Sequence, residues 1–336
     1  MTGSIIQFLI SAVVIVAAGA ALTQFGDIIS NKTKLGGLLV GTILIAGATS
    51  LPELAIDIHA IRMDAADMAV GDLLGSSLFN LMILAVLDLT RYSHGRMLSK
   101  ESAGHALAGT SSIALTAIVV IFLLLAEKIG DLEFLRLGPG SYVLIVAYLF
   151  SVRLIAHGRS KSGGDEEEKE VSPIDWINRL GLKGAIVGYC IAAAVILVAA
   201  PFLARAANQL AEQTGLGGTF FGTTFVALCT SLPEVVTTFA AVRMKAFDMA
   251  LGNIFGSNCF NMLIIVPLDL VQDGSLLAAV SPTHGYTGAC AILVTCVVVL
   301  GQLYRVERKK PFMEPDALLA LFLILGSLSG LYFVRE

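Results

Sequence analysis

Residues 35–89 align with residues 216–270 at a constant offset of 181, without a gap, and 27 of the 55 pairs are identical. A chain that carries one 55-residue segment twice must fold into two related halves. The solvent of those halves is set by composition. With 56% hydrophobic and 14% charged residues and a mean hydropathy of +0.82, the chain is too apolar for a water-soluble globule and holds many runs of the length that crosses a bilayer. Letting Gly and Pro interrupt the runs gives ten expected helical spans: 3–24, 36–61, 66–90, 104–126, 138–156, 182–204, 217–242, 247–271, 284–304 and 313–333. Five spans per half is an odd number, so the second copy enters the membrane upside down relative to the first. Inverted repeats with interrupted helices near the midplane are the build of secondary transporters.

The expected fold class is an all-α polytopic membrane protein, ten transmembrane helices in two inverted five-helix repeats with interrupted helices at a central ion site. The organisation is a first repeat over 1–156, a linker over 157–175 and a second repeat over 176–336. Alternating the loops between the two sides places seventeen Lys and Arg on one side and five on the other. The positive-inside bias then puts both termini outside and the linker in the cytoplasm. The acidic run Asp165 to Glu168 in that linker reads as a solvated connection, and Trp176 as an interfacial anchor. The first span has no basic n-region and reads as retained. Cys190, Cys229, Cys259, Cys290 and Cys296 form no CxxC pair, which argues against disulfides and zinc.

The repeat carries its chemistry in two places. Thr49-Ser50-Leu51-Pro52-Glu53 recurs as Thr230-Ser231-Leu232-Pro233-Glu234. Ser followed three residues later by Glu is a capping box, and Pro fits the first helical position, so a helix is expected to restart in mid-span. The residues before it, Ala46 to Ala48 and Ala227 to Cys229, must then end a half-helix and leave carbonyls without helical partners. Irregular backbone survives at membrane depth only where it lines a cavity. Carbonyls, hydroxyls and a carboxylate are hard oxygen ligands, suited to calcium and sodium. Glu53 and Glu234 exceed a mere capping role, because a carboxylate at the bilayer centre costs at least about 2.5 kcal/mol and an amide would cap more cheaply.

Nineteen residues after each Glu stand Asp72, in Gly71-Asp72-Leu73-Leu74-Gly75-Ser76, and Asn253, in Gly252-Asn253-Ile254-Phe255-Gly256-Ser257. In a hairpin turning near 62–66, Glu53 and Asp72 come to similar depth at 1.5 Å rise per residue. The pseudo-two-fold axis would gather Glu53, Asp72, Glu234 and Asn253, three carboxylates and one amide with formal charge −3. Asp57 could line an access path, but its repeat partner is Thr238. Asp67 and Asp248 read as caps of the next helices, and Asp88 and Asp269, near span ends, as meeting water. The five histidines, His59, His94, His105, His157 and His284, show no ligand spacing, lie toward the expected interfaces and receive no role.

These two segments, over 35–89 and 216–270, resemble the alpha repeats of the cation/calcium exchanger superfamily, and TSLPE with the GN-x-x-GSN segment is similar to its sodium/calcium exchanger branch. The resemblance implies that Glu53 and Glu234 are shared calcium and sodium ligands. It implies hydroxyl ligands at Thr49, Ser50, Thr230, Ser231, Ser76 and Ser257, carbonyl ligands at Ala46 and Ala227, and side-chain ligands at Asp72 and Asn253. The sequence departs from that pattern with Ala48 and Cys229 in place of glycine, with Ser77 in place of Asn, and with carboxylate and amide exchanged between the halves.

The implied function is a secondary antiporter exchanging calcium for sodium by alternating access, needing no cofactor. Calcium/proton exchange is the alternative, since buried carboxylates also carry protons. An intramembrane aspartyl protease, suggested by Gly71-Asp72, is a distant third, because it needs a second catalytic aspartate and a Gly-x-Gly-Asp turn, whereas position 69 is Ala and the repeat partner of Asp72 is Asn253. No P-loop is present to drive a pump. The expected partners are the lipid bilayer and the two ions, with no nucleic acid and no obligatory protein. The lack of a long cytoplasmic regulatory domain fits a prokaryotic form in the plasma, or cell inner, membrane.

Overall fold

A computed structural model describes residues 2–89, 103–129, 132–158, 181–214, 228–304 and 315–334 of the chain. Its long helices are α1 (Thr2–Thr33), α2 (Gly37–Ile61), α3 (Ala66–Leu89), α4 (Ala103–Ile129), α5 (Pro139–Gly158), α6 (Leu182–Gln213), α7 (Leu232–Arg243), α8 (Phe247–Val271), α9 (His284–Tyr304) and α10 (Pro315–Val334). The protein is the expected all-α membrane protein of two five-helix repeats. Among the described residues eight of these helices are long and apolar enough to cross a bilayer. The tenth expected span appears as α10, with a shorter apolar stretch, Asp316–Gly330. The seventh, 217–242, is described only from Leu228 onward, and residues 159–180, with Trp176 and most of the linker, lie outside the described residues.

Two helices outrun their hydropathy. α1 and α6 each continue for 32 residues, beyond the expected ends at 24 and 204. Their added turns carry polar side chains, and pairs one turn apart support them: Asn31 Nδ2 donates to Asp27 Oδ2 at 3.0 Å and Asn208 Nδ2 to Glu212 Oε1 at 3.0 Å.

The interruption of α2 takes a form the sequence did not suggest. Instead of ending and restarting at TSLPE, the helix is wound as a π-helix over Val40–Ile45 and continues as an α-helix over Ala46–Ile61, with Pro52 inside it. The Ala46 N–H reaches back to the Gly41 carbonyl, the five-residue step of a π-turn. Ser50 is therefore not a cap. The second copy follows expectation more closely. Ser231 stands at φ −80° and ψ 8°, α7 begins at Leu232 with Pro233 in its first turn, and Ser231 still makes no side-chain capping bond.

The chain divides into two compact units, each built from both repeats. The first comprises 1–52 and 166–254. Here α1 packs along α6 and against α7, around Ile15, Ala199, Ala200, Leu203 and Ala207. α2 meets the start of α8 backbone to backbone. A Cβ built on Gly41 would lie 2.4 Å from the Met249 carbonyl oxygen, and one on Gly252 would lie 2.5 Å from that of Leu38. Both clashes are with main chain, which cannot swing away. Gly41→Ala or Gly252→Ala is expected to destabilise the protein by about 1–3 kcal/mol, the scale of an overpacked core. A lowered melting temperature in detergent, against an unchanged one for Gly75→Ala, where a Cβ meets nothing within 4 Å, checks this.

The second unit comprises 53–165 and 255–336. α4 packs on α5 and α9, and α9 on α3 and α10. Leu73, Leu74, Leu115, Val119, Leu144, Met262, Ile265 and Leu268 form its core. Large apolar side chains such as Val146, Leu149 and Phe150 of α5 or Leu124 of α4 stay exposed, as lipid-facing positions must.

Several polar residues stand differently from expectation. Asp269, expected to meet water, is 2% exposed. Its Oδ2 accepts from the Gly138 N–H at 2.7 Å and the Ser141 hydroxyl at 2.6 Å, and its Oδ1 from the Leu276 N–H at 2.7 Å. Three protein donors replace hydration. Asp88 is likewise buried rather than wet. Asp67 does not serve its own helix: its Oδ1 accepts from the Ser281 N–H at 2.7 Å and faces His284 Nε2 at 2.9 Å. His105 is fully buried instead of interfacial.

Candidate ion-binding site

In the first unit the polar lining starts at the head of α7. Thr230, Ser231 and Glu234 are all buried, and the Ser231 hydroxyl has no partner. One turn further along, Thr237 and Thr238 face the GN segment of α8. Asn253 Nδ2 donates to Thr237 Oγ1 at 2.9 Å and to Thr238 Oγ1 at 2.8 Å. This fixes the amide with its nitrogen spent, while Oδ1 is buried and without a partner. Thr49 and Ser50 of α2 are buried in the same unit. The Ala46 carbonyl, expected to be loose, accepts the Thr49 hydroxyl at 3.2 Å. Ala46 itself opens the α-helical stretch Ala46–Ile61, and Ala48 is the carbonyl that loses its helical donor, because Pro52 has no N–H. Ala227 lies outside the described residues.

In the second unit the continuation of α2 brings Glu53 and Asp57, both 1% exposed. The Asp57 carboxylate interacts electrostatically with Asp72 of α3 and with Glu53. Asp72 Oδ2 and the Ser76 hydroxyl, one turn apart on α3, are buried without partners, as is the Ser257 hydroxyl of α8. Asn261, with its amide nitrogen turned to donate, reaches Glu53 Oε2 at 3.0 Å and the Ser257 carbonyl at 3.1 Å. Beside them Asn80 Nδ2 donates to Asn258 Oδ1 at 2.9 Å, and Asn258 Nδ2 to the Ser77 carbonyl at 3.3 Å.

The polar groups so placed are hydroxyls, amides and carboxylates. The Lys and Arg side chains of the two segments, Arg62, Arg243 and Lys245, stand exposed at or just beyond the helix ends. Buried oxygen without hydrogen-bond partners and without basic counter-charges is chemistry for binding a hard cation. Among the described residues no three carboxylate, imidazole or thiol groups are drawn together as a metal cage. An ion here would lean on hydroxyl, amide and carbonyl oxygens as much as on charge.

Thr237, Thr238, Asn80, Asn258 and Asn261 are buried polar residues that motif reasoning left out. Asn80 and Asn261 could have been found, since they are identical between the repeats and sit in apolar spans. Thr237 and Thr238 could not, because their partners in the first repeat are Ile56 and Asp57.

The family described as Sodium/calcium exchanger protein matches residues 3–156 and 184–332, nearly the whole chain. The chain is 26% identical over 296 residues to the Sodium/calcium exchanger MaX1 of Methanosarcina acetivorans, covering 80% of this chain and 83% of that protein. It is 22% identical over 275 residues to the Ca(2+)/H(+) antiporter ChaA of Bacillus subtilis, covering 79% and 75%. Its fold is similar to a solved structure of the sodium-calcium exchanger NCX_Mj, with a TM-score of 0.67 over 97% of both chains at 20% identity. The family is one of transporters and not of enzymes. Repeat, fold and family agree, and the chain belongs to the sodium/calcium exchanger protein family of cation/calcium antiporters.

Proposed function

We propose that the protein is a secondary antiporter that exchanges calcium for sodium by alternating access. The ligands in this reading are Glu53, Glu234, Asp72 and Asn253, the hydroxyls of Thr49, Ser50, Thr230, Ser231, Ser76 and Ser257, and the carbonyls of Ala46 and Ala227. What supports it best is the set of buried oxygens without partners, Asp72 Oδ2, Ser76 Oγ, Ser231 Oγ, Asn253 Oδ1 and Ser257 Oγ. Each was singled out by motif alone, and each has the vacant lone pair a ligand needs.

Sodium is favoured because each repeat adds hydroxyls to its carboxylates, enough oxygen for several small ions. Calcium/proton exchange has an observation of its own, the neighbouring carboxylates Asp57 and Asp72. The repeats run as 1–156 and 176–336 about a cytoplasmic linker at 157–175, with both termini outside a plasma membrane.

Calcium-45 uptake into proteoliposomes separates the readings. Sodium loaded inside drives calcium entry, and the exchange moves net charge, because three carboxylates balance three sodium ions but only part of their charge is met by one calcium. Uptake that followed a pH gradient and ignored sodium would replace this reading with calcium/proton exchange.

A further inference from the structure

Asp57 lies one helical turn beyond Glu53 on α2, and the second repeat shows what its position does. There Asn253, the repeat partner of Asp72, donates to Thr238 Oγ1, the repeat partner of Asp57, at 2.8 Å. Amide and hydroxyl satisfy one another. In the first repeat both positions are carboxylates, which accept but do not donate when ionised, so the same contact cannot close as a hydrogen bond. Asp57 Oδ2 and Asp72 Oδ2 are accordingly both buried with no partner. A third group points the same way. Ser76 follows Asp72 by one turn on the same face of α3, is 1% exposed, and its hydroxyl is unpartnered.

Two like charges side by side, out of water, are stable only with a positive species between them. We infer that Asp57, Asp72 and Ser76 bind a monovalent, sodium-class cation in the first repeat, between two positions that the second repeat joins instead by the Asn253 to Thr238 hydrogen bond. A divalent ion suits the trio poorly, since calcium takes 6–8 oxygen ligands and two carboxylates with one hydroxyl fall short. Counting Asp57 raises the formal charge of the proposed ligand set from −3 to −4, and so adds one cation to each transport cycle. This rests on the sodium-exchange reading above.

The test replaces Asp57 by the second repeat's own residue, Asp57→Thr, with Asp57→Asn and Asp57→Glu beside it. Proteoliposomes clamped at zero membrane potential with a tenfold sodium gradient are followed until calcium accumulation stops. Losing one counter-transported sodium lowers the final calcium ratio about tenfold in Asp57→Thr and Asp57→Asn, as one tenfold gradient step is removed from the driving force. Asp57→Glu keeps the wild-type ratio. Should the neutral variants be inactive, sodium-22 binding to the purified proteins decides: the wild type binds one more sodium than Asp57→Thr. An unchanged calcium ratio, or equal sodium binding, overturns the proposal. So does a wild-type ratio that shifts with an imposed pH gradient at fixed sodium and ceases to do so in Asp57→Asn, which assigns the pair to a proton. Wild-type accumulation that ignores sodium altogether is a different failure, that of the exchange reading itself.

Discussion

Glu53→Gln and Glu234→Gln each lower sodium-driven calcium uptake by at least about 100-fold, or about 2.8 kcal/mol at about 1.4 kcal/mol per tenfold. Both glutamates are essentially inaccessible. A unit charge acting on a divalent ion at about 4 Å is worth roughly 8 kcal/mol even at an effective dielectric of about 20, so the expected loss is a modest part of the gross interaction. The amide keeps the shape: a glutamine at position 53 can still accept from Asn261 Nδ2, which now lies 3.0 Å from Glu53 Oε2. Charge is the only thing removed. Uptake is measured at matched protein density, with melting temperature as the control for folding. Transport at a normal rate by Glu53→Gln would reduce that glutamate to a structural residue.

The exchange of Asp72 and Asn253 is the second large effect. Asp72→Asn leaves two carboxylates among the four motif side chains and weakens exchange by roughly 10- to 100-fold, the loss of one counter-charge at partial burial. Adding Asn253→Asp restores the formal charge from the other repeat and recovers part of the flux. The receiving position is prepared for it, since the Thr237 and Thr238 hydroxyls that now accept from Asn253 Nδ2 can rotate to donate to a carboxylate. Recovery is partial, because at position 57 the first repeat keeps a second carboxylate that the other lacks. Flux from the wild type, both single variants and the double variant completes the cycle. A double variant no better than Asp72→Asn would show that the two positions are not equivalent across the repeat.

Most of the plan was legible in the sequence for a simple reason. A bilayer imposes length and apolarity on every span, and duplication repeats the message, so span existence and the motif residues could be read directly. The form of the interruption in α2 could not. Hydropathy is silent on whether a helix stops before a proline or carries it inside, and on where a turn widens, and here the close approach of Gly41 to the Met249 carbonyl accompanies the wider turn. Depth was legible only to within a turn. Rise per residue placed Asp72 level with Glu53, whereas the bond from Asn253 to Thr238 shows the equivalent residue meeting the position one turn nearer the hairpin. The burial of Asp269 was not legible, because a carboxylate near a span end looks wet until the loops around it are known. Its donors come from residues 138, 141 and 276, and no local pattern links them.

That carboxylate also sets a timetable for biogenesis. Gly138 and Asp269 are 131 residues apart, so at about 5–20 residues per second the ribosome delivers the acceptor roughly 7 to 26 s after the donor. For that interval the Gly138 N–H and the Ser141 hydroxyl, at the start of α5, must be solvated by water or headgroups. The nascent first five helices can insert during the wait but cannot lock, since their core partners Met262, Ile265 and Leu268 are also still unsynthesised. Closure of the Asp269 contact is thus a checkpoint late in translation, and a chain released before it has no finished half to keep.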